Sequence, residues 1–458
     1  MLIRNATLSG SPHTDVRWRG GRIVECGTRL RPLPGEDDLD AHGGWLLPGL
    51  HDHHIHLRAL AARAGSVPVG PPLVRDAAEF GAALRGADAE LPPGRWIRGV
   101  GYHDSVAGPL DRAVLDRLVP DRPVRIQHRS GALWVLNSRG CQETRVNTCA
   151  LPGVERDPHG DANGRLWRLD SWLGARVPPT SADPALISAQ AAAAGVTGYT
   201  DATPGLSQDD VTALAEAVAA GTIRQRVHCM APPGVTDPGQ PRFSLGPTKI
   251  LLDDTALPSL PEFVARVRAA HLATRPVAVH CVTRVQLILT IAAIDEAGVL
   301  AGDRIEHGAM VPADTMEWLR RNRIPVVTQP HFLVERAGQY AREVAAEDRC
   351  DLWRLGSFPA AGVLVAAGTD APFGDADPWR VVRAAIEREP NSERISLAAA
   401  LALFAGHPNR PGVPRTVATG AVADLTLLRV PPQEVTVPDR DLVAATIVDG
   451  TPVHLAFG

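Results

Sequence analysis

The stretch "PVAVHCVTRVQLILTIAAIDEAGVLAGDRIEHGA", residues 276–309, contains one strand–helix–strand unit. The short apolar runs "PVAVHCV" and "DRIEHGA" flank a helix-like segment, "RVQLILTIAAIDEAGVL". A helix of this length between two short apolar strands predicts parallel strands joined by a right-handed crossover. Each strand ends near a histidine, His280 or His307, and the carboxyl ends of parallel strands are where α/β proteins place their chemistry.

The same alternation runs through the middle of the chain. Together with the two strands above, six further runs predict eight strands: "LHDHHIHL", "GVTGYTDA", "RQRVHCM", "TKILL", "IPVVTQP" and "GVLVAAGTDAP". Eight is the number of parallel strands that closes a barrel. We therefore predict an α/β fold, a (β/α)8 TIM-like barrel over residues 48–408.

Two regions lie outside this repeat. Residues 60–185 separate the first and second strands by far more than an ordinary connection. We expect them to form an inserted lid or substrate subdomain over one mouth of the barrel, with an independent second domain as the alternative. Residues 1–47 and 409–458 contain short strand-like runs with glycine turns, so we predict that both termini form one small β-sandwich.

The overall composition excludes several classes of protein. The chain has 458 residues and a formal net charge of -4, which gives no reason to expect nucleic acid as a partner. No apolar run approaches the roughly 18 residues of a membrane span, and the N-terminus does not resemble a secretory signal. The six scattered cysteines are typical of reduced thiols. We expect a cytoplasmic protein, and a homo-oligomer remains open.

Candidate metal ligands begin in "LPGLHDHHIHL", residues 47–57. His54 and His56 stand two apart in a predicted strand, so both side chains share one face. Alone, this pair is equally compatible with a histidine-rich loop that binds no metal. However, His280, His307 and Asp370 also lie near the carboxyl ends of predicted parallel strands, where barrel enzymes place catalysis.

Lys249, in "LGPTKILLDD", is the only lysine of the chain, and the other 46 of the 47 basic residues are arginines. It lies on the strand that precedes the His280 strand. Arginine does not deprotonate in proteins, whereas a desolvated lysine can lose its proton and react. The alternative is that Lys249 is a leftover surface residue.

The order HxH, Lys, His, His, Asp, with its flanking words, resembles the amidohydrolase superfamily. Within it, the chain is most similar to the amidohydrolase family 3 branch, whose members look like N-substituted formamide deformylases and related amide hydrolases. The resemblance covers essentially the whole chain. The matching words are "PGLHDHHIHL", "WIRGVGY", "NSRG", "GVTGYTDAT", "KILLDD", "RIEHG", "TQPHF", "GTDAPFGDADPW" and the ending "GAVADLTLL…IVDG".

This resemblance implies a site with two divalent metal ions. His54, His56 and Asp370 would hold one ion, His280 and His307 would hold the other, and Lys249, carboxylated by carbon dioxide, would bridge them. The histidine-rich ligand set favours zinc, with manganese or cobalt as alternatives. The implied reaction is hydrolysis of an amide-type C–N bond other than a peptide bond in a small molecule. In this implied mechanism, a metal-bridging hydroxide would attack the carbonyl carbon, and Asp370 would be the general acid/base.

Other functions stay open on the residues alone. A mononuclear deaminase or deacylase would use His54, His56, His280 and Asp370 and would leave Lys249 unexplained. A lactone or ester hydrolase could use the same site. A regulatory or binding protein with this fold is the non-enzyme alternative.

Five further side chains are weaker candidates. His228 and His331 lie near strand ends, and Trp96 and Trp134 lie in the predicted insertion. We expect these four to contact substrate, although a role as hydrogen-bonded pocket residues would account for the two histidines equally well. Asp52 is expected to orient a metal ligand, a role that metal-bound histidines often require.

Overall fold

The computed structural model describes residues 1–8, 11–178 and 183–456, and the chain divides into two compact units, Met1–Leu57 with Pro184–Gly458 and Arg58–Asp183. The strands of the described residues are β1 (Leu2–Leu8), β2 (Ser11–Arg19), β3 (Arg22–Gly27), β4 (Asp38–Asp40), β5 (Leu46–Pro48), β6 (Leu50–Ile55), β7 (Val67–Pro68), β8 (Ile97–Tyr102), β9 (Val124–His128), β10 (Leu133–Leu136), β11 (Val154–Arg156), β12 (Ala162–Trp167), β13 (Val196–Asp201), β14 (Arg226–Cys229), β15 (Phe243–Leu245), β16 (Thr248–Ile250), β17 (Val277–Cys281), β18 (Arg304–His307), β19 (Val326–Thr328), β20 (Val365–Ala367), β21 (Gly406–His407), β22 (Arg410–Pro414), β23 (Leu425–Leu428), β24 (Val443–Val448) and β25 (Thr451–Leu455).

The α-helices of the same residues are α1 (Leu57–Ala64), α2 (Ala77–Glu90), α3 (Asp104–Ala107), α4 (Arg112–Leu118), α5 (Ser138–Thr144), α6 (Asp170–Gly174), α7 (Pro184–Ala193), α8 (Gln208–Ala219), α9 (Leu260–Leu272), α10 (Arg284–Ala297), α11 (Met316–Arg321), α12 (Phe332–Glu335), α13 (Ala337–Glu343), α14 (Ser357–Ala360), α15 (Pro378–Ile386) and α16 (Leu397–Ala402). Short 3₁₀ turns lie at Val146–Thr148, Ala313–Thr315, Ala346–Asp351, Asn391–Glu393, Pro432–Glu434 and Arg440–Leu442. No helix in the described part of the chain has the length and hydropathy that crossing a bilayer requires.

Two parallel sheets form the centre of the first unit, in the orders β15-β14-β13-β6 and β16-β17-β18-β19-β20. All eight predicted parallel strands are present, which confirms the mixed α/β class. The prediction missed one element, because β15 precedes the predicted strand β16, and the two short strands pair with strands of different sheets. Gly246 and Pro247 separate β15 from β16, and a proline has no N–H to continue a ladder. The chain therefore passes from one sheet to the other at this point.

Helices α9 and α10 pack on one face of the second parallel sheet. Each begins at a capping box, Ser259 with Glu262 and Thr283 with Gln286, which satisfies N–H groups at the start of the helix. Gly298 ends α10 with a φ of +88°. The fully buried core between helices and strands includes Val277, Val279, Ile305, Phe263, Val267, Leu287 and Ile294.

Strand alternation gives this sheet a second, polar face. Because Val279 and Ile305 point toward the helices, their neighbours His280 and Glu306 point to the opposite side, and these two residues are paired across β17 and β18. Lys249 is paired with Ala278 in the adjacent ladder, and Ala278 lies on the same side as His280. The second face therefore collects ionisable side chains.

The strand-rich termini form two further sheets, in the orders β3-β2-β1-β4 and β25-β24-β23-β5. Residues from both sheets contribute to one buried cluster that includes Ile3, Val16, Trp18, Ile23, Leu46, Leu425, Leu427 and Ile447. Trp18 Nε1 also donates a hydrogen bond to the carbonyl oxygen of Gly450 at 2.7 Å. The N-terminal and C-terminal segments are thus held together by a shared core and by this bond.

The second unit contains a six-stranded sheet in the order β11-β12-β10-β9-β8-β7. The predicted strand pieces "RWIRGVGY" and "RPVRIQHRSG" contain β8 and β9, which are parallel, while β9, β10, β12 and β11 are antiparallel. Its apolar core includes Ile97, Val124, Ile126, Leu133 and Val135 from the sheet and Phe80, Leu84 and Leu115 from the helices. This unit therefore has a core of its own.

The closest backbone approach near the predicted ligands involves Gly368, which follows β20. A Cβ atom at this position would lie 2.4 Å from the backbone nitrogen of His54. We expect Gly368→Ala to lower the free energy of unfolding by about 1–3 kcal/mol, the usual effect of overpacking, because a backbone atom cannot rotate away.

Gly234→Ala is the matched control, since no heavy atom lies within 4 Å of its added Cβ. It should change the free energy of unfolding by no more than about 0.5 kcal/mol. Urea denaturation of both variants measures the difference. Equal midpoints for the two variants would contradict the close approach at Gly368.

Candidate metal centre

The six predicted ligands come from five strands of the first unit and from the segments that follow them. His54 lies in β6 and His56 directly after it, Lys249 lies in β16, His280 lies in β17, and His307 ends β18. Asp370 is three residues beyond β20. All but Lys249 therefore lie at or just beyond the carboxyl ends of parallel strands, as predicted.

Backbone hydrogen bonds join the first and last of these segments. The Asp370 N–H donates to the carbonyl oxygen of His54 at 2.7 Å, and the His56 N–H donates to that of Ala371 at 2.8 Å. Gly368 allows these two segments of the backbone to come this close because it has no side chain. These contacts fix His54, His56 and Asp370 relative to one another.

The side chains of this group converge on a small volume. His56 Nε2 lies 3.1 Å from Asp370 Oδ1, and His54 Nε2 lies 3.5 Å from the same oxygen. One ligand atom from each of the three residues lies within 4.8 Å of the other two. Lys249 Nζ is 3.4 Å from His54 Nε2, so the single lysine is in direct contact with this group.

The two remaining histidines adjoin the same group. The ring centroids of His54 and His307 are 4.6 Å apart, and those of His280 and His307 are 4.5 Å apart. His307 Nδ1 lies 4.0 Å from Asp370 Oδ2. The structure thus brings all six predicted ligands into one continuous cluster.

Two members of the cluster have left-handed backbones. The φ angle is +70° at His307 and +53° at Asp370. Residues other than glycine adopt such angles at a cost of about 1–3 kcal/mol, and this strain is concentrated at functional sites. In His307 the turn also takes the side chain out of the alternation of β18, which would otherwise direct it toward the helices.

Outer partners determine which ring nitrogen of His54 faces the cluster. His54 Nδ1 donates to Glu306 Oε2, so Nε2 carries the lone pair that faces Lys249 and Asp370. Glu306 Oε1 accepts a hydrogen bond from Arg304 Nε at 2.5 Å. The side chains of Glu306 and Arg304 are almost completely inaccessible to solvent.

His307 has a neutral outer partner. Its Nδ1 lies 2.9 Å from Gln329 Oε1, while Gln329 Nε2 donates to the carbonyl oxygen of Val327 at 3.4 Å. This second bond orients the amide, so Gln329 presents its oxygen to His307 and His307 Nδ1 is the donor. The unprotonated nitrogen of His307 is therefore Nε2.

Burial controls the protonation of the cluster. It lowers the pKa of His54 to about 4 and that of His307 to about 3, so both imidazoles are neutral at pH 7. Burial opposes ionisation of Asp370, but the hydrogen bond from His56 and the surrounding imidazoles outweigh it and hold the pKa of Asp370 well below its usual range. Desolvation lowers the pKa of the Lys249 amine from its ordinary value.

These donors fit a transition metal ion. His54, His56 and Asp370 offer two imidazole nitrogens and one carboxylate oxygen, which is a typical ligand set for zinc. In the residues that the structure describes, they are the one group of three or more such side chains with ligand atoms this close. A charged ammonium at Lys249 would oppose a cation here, whereas a carboxylated lysine would not.

Asp52 connects the first strand to the segment after β20. It accepts hydrogen bonds from the backbone N–H of His54 at 3.1 Å and from the N–H and hydroxyl of Thr369 at 3.0 and 2.5 Å. Burial raises the pKa of Asp52 to about 7 against the effect of these bonds. Asp52 touches the backbone of His54, and its predicted orienting role stays a prediction.

The two histidines predicted to bind substrate are both buried, and each has one ring nitrogen without a partner among the described residues. His331 Nε2 lies 3.2 Å from the carbonyl oxygen of Thr369 and donates to it, which leaves Nδ1 as an unpaired acceptor. His228 Nδ1 lies 2.9 Å from Ser244 Oγ, and its Nε2 is unpaired. Both unpaired nitrogens are buried.

The two tryptophans lie in the second unit, where each indole nitrogen is already engaged. Trp96 Nε1 donates to Glu143 at 2.9 Å, and Trp134 Nε1 donates to Asp170 at 2.8 Å. Arg98 and Arg125 also lie over the Trp134 ring, at 5.3 and 5.6 Å from its centroid. A substrate role for either residue would therefore use the ring and not the N–H.

Sequence reasoning missed Arg304, Glu306 and Gln329. The sequence motifs "RIEHG" and "TQPHF" contain these residues, but only the histidines in them were assigned roles. A usable signal was present, because strand alternation places Glu306, and not His307, on the face of its partner His280.

A cluster of histidines with a carboxylate at the carboxyl ends of parallel strands defines a class, the hydrolases that act with bound metal ions. The sequence profile of the amidohydrolase family matches residues 39–454, and the chain belongs to that family. This confirms the resemblance drawn from the sequence and supports a hydrolytic function.

Individual relatives agree with this assignment. The YtcJ protein of Bacillus subtilis (strain 168), whose name also places it among amidohydrolases, is 25% identical over 420 residues, which cover 79% of this chain and 77% of YtcJ. The N-substituted formamide deformylase of Arthrobacter pascens is 32% identical over 176 residues, 36% of this chain and 32% of the deformylase. A crystal structure of an uncharacterized metal-dependent hydrolase from Pyrococcus furiosus has a TM-score of 0.74 at 21% identity, over 94% of this chain and 99% of that one, and supports the fold.

The bond between Thr369 and Asp52 predicts a hydroxyl requirement at position 369. Thr369→Val keeps the shape but removes a buried donor from Asp52, so we expect the free energy of unfolding to fall by about 1–3 kcal/mol. Thr369→Ser keeps the donor and should lose much less. Chemical denaturation of both variants checks this, and a loss in Thr369→Ser at least as large as that in Thr369→Val would contradict the hydroxyl requirement.

Proposed function

We propose that this protein is a metal-dependent hydrolase that cleaves an amide-type C–N bond, other than a peptide bond, in a small molecule. The observation that carries the proposal is the convergence of all six predicted ligands, with the only lysine of the chain in contact with His54. The relative from Arthrobacter pascens is named for the cleavage of a formamide, which supports a C–N bond as the target.

The scaffold proposed for this activity is a closed barrel. Chain continuity through Gly246 and Pro247 links the two parallel sheets on one side, and the backbone bonds of His54 and His56 to the segment after β20 link them on the other. We further propose that the terminal sheets, which share one core, form a β-sandwich. Residues 60–185 begin four residues after His56, and this connectivity favours a substrate-binding role for them.

The residues proposed to hold metal follow from the cluster. His54, His56 and Asp370 would hold one divalent ion and His280 and His307 a second, with carboxylated Lys249 between them; zinc suits these donors best. When bound, such ions polarise a carbonyl group and lower the pKa of water, which makes hydrolysis possible near neutral pH.

Lys249 would act as an anion in this arrangement. Its nitrogen lies 3.4 Å from His54 Nε2, where an ammonium would donate a hydrogen bond to the Nε2 lone pair and compete with a metal ion. The neutral amine can instead attack carbon dioxide and lose a proton, which gives a carbamate with two ligand oxygens and one negative charge. Arginine has no neutral form that could do this, because its guanidinium stays protonated.

Asp370 is proposed as the general acid/base. Its carboxylate accepts the proton released by the attacking water and passes it to the leaving nitrogen. The backbone hydrogen bond from the Asp370 N–H to the carbonyl oxygen of His54 holds the main chain of Asp370 in position. The unpaired His331 Nδ1 is proposed to accept a hydrogen bond from an N–H of the substrate. His228, Trp96 and Trp134 are weaker candidates for contact with the substrate.

A mononuclear deaminase or deacylase is the second candidate. It is favoured by one observation, which is that the ligand atoms of His54, His56 and Asp370 already lie within 4.8 Å of one another without the other histidines. The two candidates differ in the number of ions that full activity requires.

We expect zinc-reconstituted protein to hydrolyse N-formyl, N-acyl or cyclic amides and to contain two zinc ions per chain when fully active. The assay pairs each amide with the ester or lactone of the same acyl group, and elemental analysis of the same samples counts the metal. One ion per chain at full activity would favour the mononuclear candidate. Turnover of the esters alone would contradict a C–N target.

His271→Asn is a suitable control for metal counting. His271, in α9, forms a hydrogen bond with Asp303 at 3.0 Å and is not a predicted ligand. Its replacement should leave two ions per chain, whereas His307→Asn should reduce the count. Equal counts in both variants would remove His307 from the ligand set.

Replacement of Lys249 tests the carbamate. Lys249→Arg should be at least as damaging as Lys249→Ala, because a permanent cation would replace an anion beside the metal ions. At an effective dielectric constant near 20, two unit charges about 4 Å apart interact by about 4 kcal/mol, so reversing this sign should strongly weaken metal binding. Turnover and metal content at saturating zinc measure both effects.

Short carboxylic acids provide the matching rescue. Lys249→Ala leaves space that acetate or formate can fill with an anionic oxygen pair, so we expect added acid to restore part of the activity. The arginine variant has no such space and should show no rescue. Near-normal turnover of Lys249→Arg would show that the lone lysine does not act as a carbamate.

A further inference from the structure

We propose that Glu306 is a positioning residue that holds His54 in the orientation required for metal binding, and that Arg304 holds the Glu306 carboxylate in place. The inference rests on the proposed metal-dependent function and adds two residues that the ligand set does not contain. Neither residue is proposed to touch metal or substrate.

The contacts of Glu306 form a chain from the interior of the sheet to the cluster. One carboxylate oxygen, Oε1, accepts from Arg304 Nε at 2.5 Å, and the other, Oε2, accepts from His54 Nδ1. Because both oxygens are engaged, the carboxylate cannot rotate without breaking one of the two bonds. His54 Nε2 is consequently directed at Lys249 and Asp370.

Arg304 is itself anchored to the backbone of neighbouring segments. Its two terminal nitrogens donate to the carbonyl oxygens of Pro408 at 3.4 Å and His53 at 3.5 Å. The His53 carbonyl belongs to the residue that precedes His54 in β6. Arg304 therefore ties the Glu306 carboxylate to the same strand that carries the ligand.

The neighbouring histidine shows that the hydrogen bond can be made in another way. His307 Nδ1 has the neutral amide oxygen of Gln329 as its partner, and no guanidinium is needed to hold it. Both histidines therefore donate their Nδ1–H to an acceptor outside the cluster, but only the acceptor of His54 carries a charge. Outer acceptors of this kind typically change metal affinity by about 10–100-fold when they are removed.

A simpler role for Glu306 would be to neutralise the buried Arg304. The two roles are separated by double variants in which the cation is removed together with the carboxylate. Arg304→Met with Glu306→Gln keeps an amide oxygen for His54 Nδ1, and Arg304→Met with Glu306→Leu removes the acceptor. Neither variant contains an unpaired buried charge, so a neutralising role predicts the same zinc affinity for both.

The readout is zinc retention by metal-loaded protein against increasing concentrations of a chelator, with thermal unfolding as the check on folding. We expect the Glu306→Leu double variant to bind zinc about 10–100-fold more weakly than wild type. The zinc affinity of the Glu306→Gln double variant should lie between that of wild type and that of the Glu306→Leu double variant. Equal zinc affinity of the two double variants would overturn the proposal.

Glu306→Asp, with Arg304 unchanged, keeps the experiment decisive if the double variants do not fold. Aspartate preserves the charge but is one methylene too short to reach both Arg304 and His54. We expect zinc retention to fall while the protein remains folded. Wild-type retention in this variant would overturn the positioning role.

A second buried arginine–glutamate pair supplies the control. Arg17 Nε and Glu36 Oε1 lie 2.9 Å apart in the N-terminal region, with side chains 9% and 7% exposed. Arg17→Met with Glu36→Gln makes the same chemical change away from the cluster and should leave zinc affinity unchanged. If wild-type protein itself retains no zinc, the proposed function fails, and if it retains zinc and the Glu306 variants do also, only this inference fails.

Discussion

The backbone hydrogen bond from the Asp370 N–H to the carbonyl oxygen of His54 is the constraint on which the centre depends. It joins the segment after β20 to β6, and Gly368 makes the approach possible because any Cβ would meet the His54 backbone. Asp52 supports the same junction by accepting three hydrogen bonds from His54 and Thr369. The predicted ligands His54 and Asp370, 316 residues apart in sequence, are thereby fixed by main-chain geometry, which is far stiffer than side-chain rotamers.

The polar face of the second parallel sheet contains buried ionisable side chains that contact one another. Burying an ionisable group costs free energy unless its polar atoms have partners, and in this cluster the partners also orient the groups that they contact. Arg304 holds Glu306, Glu306 holds His54, and Gln329 holds His307. Burial keeps the imidazoles of His54 and His307 neutral by lowering their pKa, and a neutral imidazole can bind a metal ion. Membership of the amidohydrolase family agrees with a hydrolytic function, and the P. furiosus structure agrees with the fold.

Much of the fold and of the site was predictable. The eight strands were visible as short apolar runs, and the side chains that meet in the cluster were visible as ionisable residues at strand ends. Besides the roles of Arg304, Glu306 and Gln329, two features of the backbone escaped prediction. The split of residues 243–250 into β15 and β16 depends on Gly246 and Pro247, whose effect on sheet pairing is decided by neighbours distant in sequence. His307 reaches the cluster because its φ is +70°, which local alternation cannot reveal, since alternation alone would have selected Glu306.

The sequence by itself determined the periodicity of the elements, the residue types at the strand ends and the presence of one lysine among arginines. These are local properties, because strand and helix periods and the chemistry of a side chain are written in neighbouring residues. Only the tertiary structure decided which atoms meet. His56 and Asp370, 314 residues apart in sequence, lie 3.1 Å apart because strand pairing and close backbone contacts bring the ends of β6 and β20 together. The tautomers of His54 and His307 were likewise decided by partners that come from other strands or from the segments that follow them.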